Sequence, residues 1–333
     1  MSDKKHNHLA LILTISASLI TLVVATWLLF NRQYVIDQIS AWSYHEPADV
    51  KTIQDRIDLT DKGLLYFQAT QPVVASSDDF NKDCPRQETG SPILGCYATG
   101  RIYIYNITNS QLDGIEEVTA AHEMLHAIWD RMSASEKKNL GTMLRNQYAK
   151  IQDPDLKTRM DYYARTEPGE FENELHSIIG TEIASLNPEL ETYYAQYFKD
   201  RTKVTDLHAK YSAVFAALTT ESDTLYTELV TLGKDIETRS NQYNVDVAAL
   251  KTDITSFNER ADSGSFSSLS DFNRERATLV SRSSQLESDR ISINADIATY
   301  QTKYNRYQEL SDQIKILNKS IDSIQDLNPA PSL

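Results

Sequence analysis

Apolar residues recur at intervals of seven from about Val204 onward, and this repeat restricts the fold more than any other feature. A heptad repeat is typical of long helices that pack side by side. A stretch of turn-forming residues, 261–268, interrupts it. The pattern predicts an antiparallel coiled-coil hairpin at 203–326, followed by a disordered tail at 327–333. One seam runs without a gap through Phe272, Leu279, Leu286, Ile293, Tyr300, Tyr307, Ile314 and Ile321.

One continuous helix in a parallel dimer is the alternative that the heptads leave open. Gly264 within the interruption disfavours it, because glycine is common where helices end. The seam suits a second coiled coil as well as a second copy of the chain. Either a coiled-coil partner or a homodimer is therefore an expected partner.

An uncharged apolar run at residues 9–30 is the next constraint. About 20 apolar residues in a helix span a bilayer core of about 30 Å, so the run predicts a transmembrane helix. A cleaved signal peptide is the alternative, but Asn31 and Arg32 follow the run where small residues would be needed. Residues 31–49 would then form a stalk that connects this anchor to the folded part of the chain.

The charges around the anchor predict its orientation. Lys4 and Lys5 precede the apolar run, and positive charge near an anchor stays on the cytoplasmic side. We therefore expect residues 1–8 in the cytoplasm, a single pass through the cell membrane, and the rest of the chain on the extracytoplasmic side. Arg32, on the far side, acts against this orientation.

The net charge indicates which class of partner is disfavoured, and the two cysteines indicate how they pair in an exported domain. A formal net charge of −14 argues against nucleic acid as a partner. The two cysteines, Cys84 and Cys96, lie in one short segment. In an exported domain this spacing predicts a local disulfide, and two unpaired thiols are the alternative.

Residues 50–202 have a mixed pattern that predicts an α+β domain. A strand is indicated at 101–107, where side chains alternate and β-branched and aromatic residues are frequent. A helix over about 114–132 follows it. This region is the expected catalytic domain, because its helix carries the one motif in the chain with clear chemistry.

That motif is His122-Glu123-Met124-Leu125-His126. Two histidines four residues apart lie on one helical face, one turn apart, so that both ring nitrogens can reach one zinc ion. Glu123 would lie beside the open coordination position, where a carboxylate can act as a general base. The flanking residues are apolar enough to bury this helix, and buried histidines need partners. The motif therefore predicts a zinc site.

A catalytic zinc site needs a third protein ligand. The metzincin continuation HExxHxxGxxH is missing from the sequence, because Trp129 and Met132 stand where its glycine and last histidine would be. The acidic segment that follows Pro168 is the expected source of the ligand. Glu170 and Glu174 are four residues apart, so a helix that begins near Pro168 would present both on one face.

HExxH followed by ExxxE resembles the metal site of the gluzincin family of zinc metallopeptidases. The segment 163–174 is similar to the YxRT and EFxxE run of the anthrax lethal factor type. Its acidic part also resembles the EFxAD element of the HtpX and CAAX-protease type. The likeness covers about residues 100–180.

The resemblance implies a zincin-like fold with zinc as the cofactor. It implies Glu170 as the third zinc ligand, Glu174 as the residue that orients a ligating histidine, and Tyr163 as a hydrogen-bond donor to the oxyanion. It also implies that the strand at 101–107 forms the sheet edge that pairs with extended substrate. A plain structural strand is the alternative for that segment.

A second likeness leaves the third ligand open. Residues 173–177 are also similar to the NExxS element of thermolysin, which implies Glu174 as the ligand. Ile178 stands where that element is followed by a further acid, and this counts against the alignment. His176 and Glu182 are the remaining alternatives.

The sequence therefore predicts a membrane-anchored zinc-dependent endopeptidase that hydrolyses exported proteins or peptides, with zinc-activated water and Glu123 as general base. The alternative is a non-catalytic scaffold or adaptor of the cell envelope that acts through its coiled coil. A hydrolase for cell-wall peptides would share the same site. The intact Glu123 favours catalysis, because an inert descendant has little use for a carboxylate beside the metal.

Overall fold

The computed structural model describes residues 2–85 and 93–324, with side chains from residue 13 onward. The chain forms two compact units, of which unit 1 is Met1–Val214 with Leu317–Leu333 and unit 2 is Phe215–Ile316. The expected tail at 327–333 lies outside the described residues. The boundary between the units falls inside the first long helix of the hairpin, whereas the sequence places it just before that helix.

Unit 1 begins with two consecutive helices, α1 (Ser2–Phe30) and α2 (Arg32–Ser43). Within α1, the stretch Leu13–Phe30 has a mean hydropathy of 2.1 and is long and apolar enough to cross a membrane. The backbone N–H of Val35 donates to the carbonyl of Asn31 at 3.0 Å, so helical hydrogen bonding crosses the junction. The predicted stalk is therefore largely a helix that continues α1.

A small sheet lies in unit 1, and its central strand is the one that the sequence identifies. In the described part of the chain the strands are β1 (Val73–Ala75), β2 (Gly95–Ala98) and β3 (Arg101–Tyr105), in the order β1-β3-β2. β3 pairs parallel with β1 and antiparallel with β2. The prediction that β3 forms the sheet edge is therefore wrong. The reason is β1, a short upstream strand that occupies the other side of β3.

In the described residues, eight further helices, among them α6, lie between α2 and the hairpin. They are α3 (Ala48–Ile57), α4 (Asp61–Ala69), α5 (Ser77–Asp83), α6 (Ile115–Asp130), α7 (Ala134–Tyr148), α8 (Pro154–Thr166), α9 (Phe171–Glu182) and α10 (Pro188–Tyr194), with a 3-10 helix at Ser110–Leu112. α6 is the helix that carries HExxH. Gly114 precedes it with a φ of 102°, a left-handed conformation that glycine adopts without strain.

α6 lies within the main core of unit 1. Ala121, Met124, Leu125 and Ile128 are buried and belong to one cluster with apolar side chains of α3, α9 and β3. Burial of each large apolar side chain contributes about 1.5–3 kcal/mol, which holds α6 firmly against its neighbours. α9 approaches closely at Gly180, where a Cβ would lie 2.5 Å from Cδ1 of Leu125.

A smaller cluster joins α5 to the sheet. It contains Ala75, Phe80, Cys84 and Tyr105. Cys84 and Cys96 form a disulfide with their Cα atoms 5.9 Å apart, as the sequence predicts. The bond ties the end of α5 to the edge strand β2.

Unit 2 consists of α11 (Thr202–Asp262) from Phe215 onward, the turn that follows it, and α12 (Leu269–Ile321) as far as Ile316. Lys303 pairs with Glu228 at 2.7 Å, and Arg282 pairs with Asp253 at 2.5 Å. Residue numbers rise in one helix as they fall in the other, so the two helices run antiparallel. The predicted helical hairpin is present, and the chain turns between its helices at Gly264, which has a φ of 66°.

Each long helix has one end in unit 1. Near the start of α11, Lys210 pairs with Asp113 at 2.6 Å. Near the end of α12, the hydroxyl of Ser320 accepts a hydrogen bond from Nδ2 of Asn109 at 3.1 Å. Both contacts involve the segment just before α6, so the ends of the hairpin helices help to position the HExxH helix.

Candidate metal centre

The two motif histidines project from one face of α6. The Nε2 atoms of His122 and His126 lie 3.0 Å apart, and the rings meet edge to face with centroids 4.8 Å apart. This is the arrangement expected of residues one helical turn apart. The side chains are 21 % and 12 % exposed, so both rings are largely enclosed by protein.

Glu174 of α9 completes the group. One of its carboxylate oxygens lies 3.7 Å from Nε2 of His122, and the other lies 3.6 Å from Nε2 of His126. The three ligand atoms all lie within 4.8 Å of one another. Of the two acids that the sequence proposes as third ligand, Glu174 is the one that the structure brings to the histidines.

Glu170 has a different position. α9 begins at Phe171, later than the start near Pro168 that the sequence indicates, and Glu170 is its N-cap residue. The Glu170 carboxylate accepts a hydrogen bond from Nδ2 of Asn173 at 2.8 Å, and Oδ1 of Asn173 lies 2.9 Å from Nδ1 of His126. Glu170 thus reaches the histidines through Asn173. Within the described ranges, it does not belong to the group that could hold a metal.

The other two alternatives for the third ligand also lie outside this group. His176 is fully buried, and its Nε2 lies 2.9 Å from the hydroxyl of Tyr193. Burial lowers the pKa of His176 well below the usual histidine range, so the ring is neutral. Glu182 pairs with Arg159, whose Nη1 donates to Oε1 at 3.0 Å.

Glu123 lies beside the histidines and is 7 % exposed. Burial raises the pKa of Glu123 to about 7, while the charge of His126 and a hydrogen bond from the backbone N–H of Tyr97 act in the opposite direction. Tyr97 belongs to β2, so the edge strand orients this carboxylate. The approach requires glycine at position 95, because a Cβ there would lie 2.9 Å from Cγ of Glu123.

Tyr163 of α8 also reaches the group, through Glu174. Burial raises the pKa of Glu174, but the nearby ring of His122, a hydrogen bond from Tyr163 and the charges of both histidines outweigh it, so the pKa lies below its usual value. The tyrosine that the resemblance implies is therefore a neighbour of the candidate ligands.

Asn173, Gly95 and Tyr97 are site residues that the sequence does not identify. Asn173 lies inside the acidic run and begins the segment similar to NExxS, but that likeness points to Glu174 and assigns no role to Asn173. Gly95 has a weak one, because a glycine in a strand often marks close approach of another group. Tyr97 acts through its backbone, which no side-chain motif can reveal.

Comparison with known proteins identifies no family for this chain. No protein-family model, no curated protein and no solved structure matches it. The functional assignment therefore depends on the geometry of the group formed by His122, His126 and Glu174 and on its neighbours.

Proposed function

We propose that this chain is a membrane-anchored zinc-dependent peptidase whose unit 1 is a zincin-like catalytic domain. The observation that carries the proposal is the convergence of His122, His126 and Glu174, with Glu123 buried beside them. Two consecutive turns of one helix and a side chain from another helix meet at one point. Such a meeting is costly for polar groups unless they share a partner.

The three donor atoms fit zinc. Tetrahedral coordination at about 2.0–2.1 Å sets neighbouring ligand atoms roughly 3.4 Å apart. The two Nε2 atoms lie 3.0 Å apart, and His126 and His122 lie 3.6 Å and 3.7 Å from the two different carboxylate oxygens of Glu174. With one atom from each residue, all separations are within 4.8 Å. Two imidazoles and one carboxylate are also the ligand set of one group of catalytic zinc sites, in which the fourth position is open. His122, His126 and Glu174 are therefore the residues that would hold the ion.

Bound zinc would supply Lewis acidity toward a peptide carbonyl and toward water. Glu123, oriented by the backbone N–H of Tyr97, can accept the proton of the attacking water and return it to the leaving amine. The hydroxyl of Tyr163 can turn from Glu174 toward the carbonyl oxygen as negative charge develops there. These roles together describe peptide-bond hydrolysis.

The edge strand supports an extended peptide as substrate. The carbonyl of Leu94 accepts a hydrogen bond from the N–H of Tyr105 at 2.8 Å. Because pairing alternates along an antiparallel ladder, the backbone groups of Gly95 and the carbonyl of Tyr97 point away from β3, as does the Tyr97 N–H that binds Glu123. An extended chain can pair with such an edge through its own backbone, with little dependence on side chains. Exported proteins or peptides of varied sequence are therefore the proposed substrates.

α1 and the disulfide support the proposed location. The length and hydropathy of α1 suit a single membrane pass. Lys4 and Lys5 favour a cytoplasmic N-terminus. A disulfide between Cys84 and Cys96 suits an oxidising compartment, which favours the extracytoplasmic side for unit 1.

Metal content and cleavage by one variant test the proposal. We expect the purified full chain to contain one zinc ion by elemental analysis and to cleave members of a peptide library. Glu123→Gln should retain zinc and lose cleavage, because the amide cannot accept the proton. Glu189→Gln, a change of the same kind at an exposed position, is the matched control.

Two results would contradict the proposal. One is a folded chain without zinc, and the other is equal cleavage by the wild type and Glu123→Gln. Either result would leave the non-catalytic adaptor, which acts through the hairpin, as the remaining function.

A further inference from the structure

The amide of Asn173 lies between Glu170 and His126, and the chemistry of these neighbours determines its orientation. Nδ2 of Asn173 lies 2.8 Å from Oε2 of Glu170, and Oδ1 lies 2.9 Å from Nδ1 of His126. An ionised carboxylate accepts hydrogen bonds and donates none. The NH2 group of Asn173 must therefore face Glu170, and its oxygen must face His126.

The orientation of the amide determines the tautomer of the histidine. An amide oxygen also only accepts, so the proton between Asn173 and His126 belongs to Nδ1 of the ring. In the neutral ring Nε2 then has no proton and carries the lone pair that a metal ion needs. Nε2 is the atom that lies 3.6 Å from Glu174 and 3.0 Å from Nε2 of His122.

We propose that Asn173 is a positioning residue that holds His126 in the Nδ1–H tautomer, and that Glu170 sets the direction of the Asn173 amide. This inference rests on the metal site proposed above and assigns the support of one of its ligands. It also exchanges the roles that the resemblance implies for the two acids, since Glu174 ligates and Glu170 supports.

The solvent exposure of Asn173 and Glu170 indicates which of the two hydrogen bonds contributes more to metal binding. Asn173 is half-buried, whereas Glu170 is exposed. Water can therefore replace Glu170 as an acceptor for the Asn173 amide, but it replaces Asn173 beside the enclosed His126 ring less well. Loss of Asn173 should consequently weaken metal binding more than loss of Glu170.

The tautomer of His126 in the metal-free protein is the first test. The full chain, labelled with 15N-histidine and purified in detergent after treatment with a chelator, allows the two ring nitrogens to be distinguished by NMR. We expect the His126 signal of the wild type to be that of the Nδ1–H form. Asn173→Ala should shift it toward a mixture of both tautomers.

Zinc affinity, measured by competition with a chelating dye, is the second test. Loss of a residue that orients a ligand typically lowers metal affinity about 10–100-fold, and we expect a loss in this range for Asn173→Ala. Glu170→Ala should cause a smaller loss. The matched control is Glu172→Gln, because Glu172 lies on the same helix and pairs with Arg145 instead.

A double variant keeps the test independent of folding defects. In Glu170→Gln with Asn173→Asp, the new amide can donate to the new carboxylate, which can accept from Nδ1–H of His126. The hydrogen bond between positions 170 and 173 is thereby reversed, while position 173 still accepts from Nδ1–H of His126. We therefore expect the double variant to keep near wild-type zinc affinity and the Nδ1–H tautomer.

Three results would overturn the inference. They are an Nε2–H tautomer of His126 in the metal-free wild type, wild-type zinc affinity in Asn173→Ala, and loss of the Nδ1–H tautomer in a folded double variant. A wild-type chain that binds no zinc would instead contradict the proposed function. The metal-free spectrum would still decide the tautomer.

Discussion

The ion pair between α2 and the end of α6 allows a quantitative prediction. Arg131 donates to Asp37 through Nε at 3.0 Å and through Nη2 at 2.8 Å, and the side chains are 9 % and 3 % exposed. Removal of one member of a buried pair costs about 3–5 kcal/mol, because the other charge stays buried without its partner. Arg131 would keep its hydrogen bond to the carbonyl of Ala127. We therefore expect Asp37→Ala to lower the free energy of unfolding of unit 1 by about 3 kcal/mol.

Thermal unfolding followed by tryptophan fluorescence measures this effect. All three tryptophans, Trp27, Trp42 and Trp129, lie outside residues 215–316, so the signal reports unit 1 and not unit 2. In a unit of about 150–250 residues, 1 kcal/mol shifts the Tm by about 2–4 °C. The Tm of Asp37→Ala in detergent should therefore fall by about 6–12 °C.

Two controls separate the buried pair from other effects. Asp55→Ala removes an exposed ion pair with Lys51 one turn away and should cost less than about 0.5 kcal/mol. Asp37→Leu combined with Arg131→Met removes both charges and should be far less destabilised than Asp37→Ala. Equal Tm values for Asp37→Ala and Asp55→Ala would refute the reasoning.

Three further predictions concern the packing, the covalent link and the charges around α6. Gly180→Ala places a Cβ 2.5 Å from Leu125 and 2.7 Å from Tyr194. The cost of overpacking, about 1–3 kcal/mol, should exceed the gain in helix propensity of about 1 kcal/mol, so the variant should unfold at a lower temperature and bind zinc more weakly. A wild-type Tm and a wild-type zinc affinity would contradict this prediction. Cys84→Ser combined with Cys96→Ser opens the short loop that the disulfide closes and should destabilise unit 1 by about 3 kcal/mol in urea unfolding. An unchanged urea midpoint would contradict this prediction. Hydrogen bonds from Arg56 and Lys210 lower the pKa of Asp113 from 3.8 to about 2. Because this pKa is lower in the folded protein than in the unfolded chain, the ionised Asp113 carboxylate stabilises the fold above about pH 4, and this stabilisation is lost as the pH falls toward about 2. Asp113→Asn should therefore flatten the fall in Tm over that range, and parallel curves for variant and wild type would count against this assignment.

Features that depend on local periodicity could be predicted from the sequence. The heptads indicate the hairpin, and the apolar flanks of His122 and His126 indicate a buried helix. β3 is identifiable because its alternation is local. In each of these cases neighbours within one or two turns, or one strand, decide the structure.

Features that depend on distant partners could not be predicted. Whether Glu170 or Glu174 faces the histidines depends on where α9 begins and on how closely Gly180 lets it approach α6. The central position of β3 depends on β1, which is a short strand of only three residues. Asp37 and Arg131 are 94 residues apart, and no spacing rule connects them.

The junction between α1 and α2 has a consequence for the reach of the candidate enzyme. About 10 Å of helix separates Phe30 from Asp37, and about 8 Å separates Arg131 from His126. With α1 in a bilayer, the Asp37–Arg131 pair would therefore hold the two histidines of the candidate metal centre at a set height above the lipid. Distance from the membrane surface, more than the residues around the scissile bond, would then decide which polypeptides are cut.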